Sequence, residues 1–151
     1  MKRVSFLAFA IIMAGIGLSG FAAAAEETSP VGNWKTIDDK TGKVKSIVQI
    51  FEANGELKGK VEKLFSPPAK SENPICDKCE GELKDKPVLG MVIMWGLKKD
   101  GNEYTDGHIL DPAEGKIYKC KIKLAEDGKQ LELRGFVGIS LLGRTQTWIR
   151  E

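Results

Sequence analysis

Two cysteines three residues apart, in Cys76-Asp77-Lys78-Cys79, hold more potential chemistry than any other short spacing in the chain. A Cys-x-x-Cys pair can serve three ends: a dithiol that exchanges with partner disulfides, half of a zinc site, or a short disulfide that staples a loop. Exchange needs a stabilised thiolate, usually supplied by a helix N-terminus beneath the first cysteine. Gly81 and Pro87 follow too soon for a helix of useful length, which weakens the redox reading. Zinc needs four ligands. Cys120 and His108, the third cysteine and the single histidine, would complete the count, but at no recognised ligand spacing. Asp106, His108 and Asp111 bring acid–base groups close in sequence. No nucleophilic Ser or Cys motif accompanies them, and Asp111-Pro112 reads better as turn initiation. The segment Gly138-Ile139-Ser140-Leu141-Leu142-Gly143 lacks the Lys-Ser/Thr ending of a phosphate loop. On these grounds we assign no catalytic residue, no metal and no cofactor.

The choice among the cysteine readings turns on compartment. Met1-Lys2-Arg3 is a short positive segment, followed by 18 apolar, Ser or Gly residues at 4–21 and then Ala22-Ala23-Ala24-Ala25 before Glu26. That is the pattern of a signal peptide at 1–25, cleaved after Ala25. A stretch of this length could also just span a bilayer uncleaved, but its three glycines and the alanine run favour cleavage. The absence of a cysteine at the cut argues against a lipid anchor. The expected product is periplasmic or secreted, with a linker at 26–30, one folded domain at 31–151 and no stable membrane anchor. Thiols outside the cytoplasm oxidise, which moves Cys76 and Cys79 toward a loop disulfide. Cys120 is then either a small buried hydrophobe or a partner for one of the other two, a choice that spacing leaves open.

Charge narrows the partners. The chain has 23 Lys and Arg against 21 Asp and Glu, and loss of Lys2 and Arg3 leaves the two sides equal. A formally neutral domain lacks the positive field that nucleic-acid binding needs, and no polybasic membrane patch is evident.

Turn signals divide the remainder into short segments of period-two alternation. Asn54-Gly55, Asp100-Gly101 and Asp127-Gly128 are tight-turn pairs, because Asn, Asp and Gly tolerate positive φ. Strands are expected at 31–38, 44–52, 56–65, 90–98, 103–111, 116–125, 130–137 and 144–150. In the sixth, Tyr118, Cys120, Ile122 and Leu124 share one face while Lys119, Lys121 and Lys123 take the other, the mark of a half-buried antiparallel strand. In the seventh, Leu131, Leu133 and Val137 form the inner row. In the fourth, Met91, Ile93, Trp95 and Leu97 form one stripe, with Val92 and Met94 opposite, so both faces should be covered. Glycines in or beside strands suggest bulges that curve the sheet. Eight short strands with tight turns predict an all-β fold, an antiparallel up-and-down β-barrel, since closure removes exposed edges. One long Cys-containing connection, 66–87, interrupts the regular spacing.

From Thr105 the chain reads Thr-Asp-Gly-His-Ile-Leu-Asp-Pro-Ala-Glu-Gly-Lys-Ile-Tyr, and later Leu133-Arg134-Gly135-Phe136-Val137-Gly138, Leu142-Gly143-Arg144-Thr145 and Trp148-Ile149-Arg150. With Gly32-x-Trp34 and Ile75-Cys76-x-x-Cys79, the whole of 31–150 resembles the bacterial exported family called domain of unknown function 2147. The resemblance implies a lipocalin-like (calycin) barrel and carries over no catalytic residues. Lipocalins also begin with Gly-x-Trp and pack that Trp against an Arg near the last strand. Gly32, Trp34 and Arg150 (or Arg144) would take those parts and close the barrel bottom.

Trp34, Trp95, Tyr104, Tyr118 and Trp148 are the candidate ligand-binding aromatics. The leading functional expectation is a noncatalytic barrel that takes a small apolar or amphipathic ligand. Gly59, Gly135 and Gly138 leave room for one, whereas Trp34, Tyr118 and Trp148 could fill it. The alternatives are an envelope interaction module using 66–87 or 139–142, and a thiol oxidoreductase built on Cys76 and Cys79. The apolar run 139–142 would either plug the barrel mouth or meet a ligand or partner.

Overall fold

Apolar alternation between tight turns produces eight strands: β1 (Gly32–Ile37), β2 (Val44–Ala53), β3 (Glu56–Leu64), β4 (Val92–Asp100), β5 (Glu103–Asp111), β6 (Lys116–Leu124), β7 (Gln130–Phe136) and β8 (Arg144–Arg150). Each pairs antiparallel with the next, and β8 pairs with β1, so the sheet closes as an eight-stranded up-and-down barrel. The computed structural model describes residues 29–65 and 73–151. The expected signal peptide, residues 26–28 of the linker and residues 66–72 of the long connection lie outside the described residues.

Up-and-down order sorts the connections by end. The β2–β3, β4–β5 and β6–β7 turns share one end with the start of β1, and all three are short. Asn54 and Gly55 show why: both hold positive φ, 54° and 76°, as a two-residue hairpin of matching twist requires. The long connections, β3–β4 and β7–β8, fall at the opposite end together with the β1–β2 and β5–β6 turns.

Inside, the half toward the short turns is filled. Trp34, Val48, Ile50, Met94, Leu97, Ile122 and Leu131 are all buried. Two glycines belong to this packing. A Cβ on Gly59 would lie 3.0 Å from Met94 Cε and 3.1 Å from Val48 Cγ1, and one on Gly107 would overlap the Leu97 side chain. Gly59 therefore accommodates its neighbours and provides no cavity. Gly135 differs: the nearest neighbours of a Cβ there would be Tyr118 Cβ at 3.9 Å and Ile109 Cγ2 at 4.0 Å, ordinary van der Waals contacts.

β6 alternates as its sequence predicts, with Cys120 and Ile122 buried and Lys119 and Lys123 exposed. β4 does not. Met94 and Leu97, three apart, are both buried, because Gly96 takes φ 77° and shifts the parity of the strand. The pairings Met94 with Ile109 and Trp95 with His108 then put Trp95 on the outer wall, stacked on His108 at 5.9 Å. Val137, expected in the inner row of β7, lies past the end of the strand and is exposed.

One register step along, Ile93 and Leu110 also face outward, yet both are buried. The second cover predicted for β4 is the described part of the long connection. Residues 74–88 form a small loop held by Cys76 N–H to Lys86 O at 2.8 Å and Val88 N–H to Pro74 O at 2.8 Å. Cys76 and Cys79 are joined by a disulfide within it. Cys76, Cys79 and Val88 belong to the same apolar cluster as Ile93 and Leu110, so the loop makes a small second core on the barrel's outer wall.

Gly107→Ala is predicted to lower stability by about 1–3 kcal/mol through overpacking against Leu97, measured by urea unfolding. Gly135→Ala should change stability by under about 1 kcal/mol, since its Cβ meets only ordinary contacts.

Candidate functional site

The barrel has one sealed end and one open end, and the seal explains the most distinctive spacing in the chain. Trp34 on β1 pairs with Arg150 on β8, and the guanidinium carbon sits 4.3 Å from the centre of the Trp34 ring. Arg150 Nε donates to Gly128 O at 2.7 Å, Nη1 to Val31 O at 3.0 Å and Nη2 to Ser29 O at 2.7 Å. One planar fork thus ties the residues before β1, the β6–β7 turn and the last strand. The wholly buried Trp34 satisfies its indole N–H on Pro30 O at 2.8 Å. Gly32 holds φ 135°, and a Cβ there would lie 2.8 Å from Arg150 Nη1. Gly-x-Trp is spaced so that one residue supplies the stacking ring while the other clears room for the cation.

At the open end the inner wall is small and polar. Thr36 and Ser46 face each other with hydroxyl oxygens 2.6 Å apart. Above them Asp39, in the β1–β2 turn, accepts hydrogen bonds from Gln146 Nε2 at 3.0 Å and from Arg144, with which it forms an ion pair. Gln146 Oε1 lies 3.5 Å from the indole nitrogen of Trp148, a weak link between the rim and the packed half below. Across the mouth Tyr118 donates its hydroxyl to Glu114 at 3.1 Å. Burial first, and then the Glu114 carboxylate, raise the pKa of that phenol above its ordinary value. The mouth therefore combines a charged rim with an apolar wall of Ile109, Tyr118 and the open face of Gly135, over a floor at Trp148.

The five candidate aromatics divide among regions. Trp34 is committed to the sealed end, and Tyr104, opposite Ile122, lies toward the same end. Trp95 is corrected to the outer wall by the Gly96 bulge. Tyr118 and Trp148 remain at the mouth and its floor. Asp39, Glu114 and Gln146 were not singled out from the sequence. Asp39 and Gln146 meet across 107 positions, and no local pattern announces such a contact.

The cysteine and histidine candidates do not converge. Cys76 and Cys79 are bonded to each other on the outer wall, Cys120 faces inward and His108 faces outward. Strand alternation explains the last two, since His108 pairs with exposed Lys119 and Gly107 pairs with Cys120. Among the described residues, no three His, Cys, Asp or Glu side chains come together as metal ligands. Cys76 Sγ rests 3.3 Å from Pro112 O, and a Cβ on Gly115 would overlap the Lys78 backbone. The disulfide loop therefore packs tightly on the β5–β6 turn. Burial pushes the Cys120 thiol up to about 12. A separate groove of about 450 Å³ on the outer wall is lined by Asp106, His108, Lys119 and Phe136.

Residues 32–150 match the family described as "Uncharacterized protein conserved in bacteria (DUF2147)". The chain belongs to this family. Among solved structures, this DUF2147 barrel is similar to protein HP1028 from the human pathogen Helicobacter pylori, described as belonging to the lipocalin family. The TM-score is 0.69 at 22% identity, covering 80% of this chain and 82% of that one. At such identity the likeness is one of fold. No curated protein matches the chain.

Arg150→Lys in this DUF2147 barrel keeps the charge but loses the planar fork. It should cost about 2 kcal/mol or more, given the usual value of hydrogen bonds from charged donors, measured by denaturant unfolding. Cys120 should resist Ellman's reagent at pH 8 in the folded protein, and one thiol should react after unfolding in guanidinium.

Proposed function

We propose that this protein acts outside the cytoplasm as a noncatalytic binder of a small amphipathic molecule, held at the open end of its barrel. The asymmetry of the lumen is the observation that supports this. One half is filled by Trp34, Ile50, Met94 and Leu131, and its end is sealed by Arg150. The other half presents small or polar inner residues beneath the rim of Asp39, Gln146 and Arg144. An eight-stranded barrel has room for one small ligand at most. An apolar tail would lie against Ile109, Tyr118 and Gly135. A polar or anionic head would take over the donors that Arg144 and Gln146 now give to Asp39, so affinity would depend on head chemistry as well as tail length.

The signal-peptide pattern of residues 1–25 supports an extracytoplasmic location, and an oxidised Cys76–Cys79 pair fits such a compartment. The same pair gives little support to an oxidoreductase. Cys76 is 0% and Cys79 3% exposed, which keeps an attacking thiolate from either sulfur.

Anilinonaphthalene sulfonate, an amphipathic anion, is a suitable first probe. Gly135→Phe should fill the upper lumen and weaken probe binding at least tenfold while the melting temperature moves by only a few degrees. Lys123→Ala, on the outer face, should leave binding unchanged. Wild-type affinity in the Gly135→Phe protein would place the probe elsewhere and overturn the reading.

A further inference from the structure

The β7–β8 connection carries seven consecutive uncharged residues, Val137-Gly138-Ile139-Ser140-Leu141-Leu142-Gly143. The sequence left two roles for its aliphatics, plugging the mouth or meeting something outside, and the structure turns them away from the lumen. Val137 is 73% exposed, Ile139 60%, and Leu141 and Leu142 79% each. Monomeric proteins seldom leave four large aliphatics exposed on one loop without an interaction to use them.

The backbone of this tip satisfies several of its carbonyls within the protein. Arg134, on the outer face of β7, donates Nε to Ser140 O at 2.6 Å and Nη2 to Leu141 O at 3.1 Å, and anchors Nη1 on Thr145 Oγ1 at 2.7 Å. Leu142 N–H donates to Ile139 O at 3.3 Å, and Gly143 N–H to Ser140 O at 3.1 Å. Three successive carbonyls, of Ile139, Ser140 and Leu141, thus have partners within the protein. The two backbone bonds are the i→i+3 pairs of a single 3-10 turn at Ser140–Leu142, and the Arg134 guanidinium adds the other two. A loop that enters hydrocarbon needs such pairing, since an unpaired peptide group there is strongly disfavoured.

The neighbouring turn supplies charge. Arg144, directly after the tip, pairs with Asp39 and so holds the β1–β2 turn beside it. Lys40, Lys43 and Lys45 stand exposed on or next to that turn. Four cations, Arg144, Lys40, Lys43 and Lys45, stand there against two acids: Asp39, paired with Arg144, and Asp38, which keeps its charge while accepting from the backbone N–H groups of Lys40 at 3.0 Å and Thr41 at 2.8 Å. The apolar tip therefore has a collar with an excess of cations, a pairing suited to anionic headgroups above acyl chains. A second copy of the chain is a poorer fit. Self-association through the tip would bring the exposed Lys40, Lys43 and Lys45 of both copies together, like charge against like.

We propose that the open end of the barrel docks reversibly on an anionic phospholipid surface. Val137, Ile139, Leu141 and Leu142 enter the interface while Lys40, Lys43 and Lys45 lie against the headgroups. This goes beyond the ligand reading and does not depend on it, since docking needs nothing in the lumen.

Co-sedimentation of residues 26–151, which contain the whole barrel, with vesicles of phosphatidylglycerol and phosphatidylcholine tests it. Binding is expected to the mixed vesicles and to fall sharply with added salt or on pure phosphatidylcholine. Leu141→Glu/Leu142→Glu and, separately, Lys40→Glu/Lys43→Glu should each reduce binding at least tenfold. Circular dichroism should stay unchanged, because all four side chains are exposed. Failure of the wild-type protein to sediment, or undiminished binding by the leucine variant, would overturn the proposal. So would wild-type dimerisation in analytical ultracentrifugation, without vesicle binding, that the leucine variant abolishes.

Discussion

Arg150 stands where three separate stretches of chain converge, and its guanidinium ties them together. It stacks on Trp34 and gives its hydrogen bonds to the carbonyls of Ser29, Val31 and Gly128. An antiparallel sheet closes on itself only if the first and last strands meet in a defined register. Here Trp34 opposite Arg150 sets that register, and Lys35 opposite Ile149 extends it. The stacked cation also covers the bottom of the lumen, so the two ends of the barrel are unlike.

Packing then grades along the barrel axis. Near the seal, glycines make room for neighbours: Gly59 receives Met94 and Val48, and Gly107 receives Leu97. Toward the mouth, Gly135 meets Tyr118 and Ile109 only at ordinary contact distance, and the inner wall turns to Thr36, Ser46 and Gln146. The same residue type thus plays opposite parts at two heights, and only the neighbours decide which. Outside the wall, the disulfide loop covers Ile93 and Leu110, so a sheet that would otherwise show an apolar outer stripe keeps it dry. The oxidised pair serves there as a clasp.

What was legible in the sequence follows from what is local. Turn pairs and period-two alternation locate all eight strands to within about two residues, and β5 and β8 begin and end where expected. The family resemblance and the Gly32–Trp34–Arg150 closure could be read because those residues carry a distinctive spacing. Parity in β4 could not be read. Gly96 at φ 77° and Asp106 at φ 61° form facing irregularities in β4 and β5, and alternation counts residues without seeing a left-handed one. Trp95 consequently belongs to the outer wall, and simple counting put it inside. The rim escaped for another reason: Asp39, Gln146 and Glu114 are ordinary polar residues, and closure of the barrel alone brings the first two together.

The central claim is that ligands enter at one end only, above Trp148 and away from the Trp34 seal. The chain holds three tryptophans, and each marks a different region: Trp34 the sealed end, Trp148 the floor of the mouth and Trp95 the outer wall. Their indole N–H signals in a proton–nitrogen correlation spectrum, followed while anilinonaphthalene sulfonate is added, report the three regions at once. The structure predicts that the Trp148 signal shifts while those of Trp34 and Trp95 stay in place. A shift confined to Trp95, with Trp148 unmoved, would put binding on the outer wall and contradict this account.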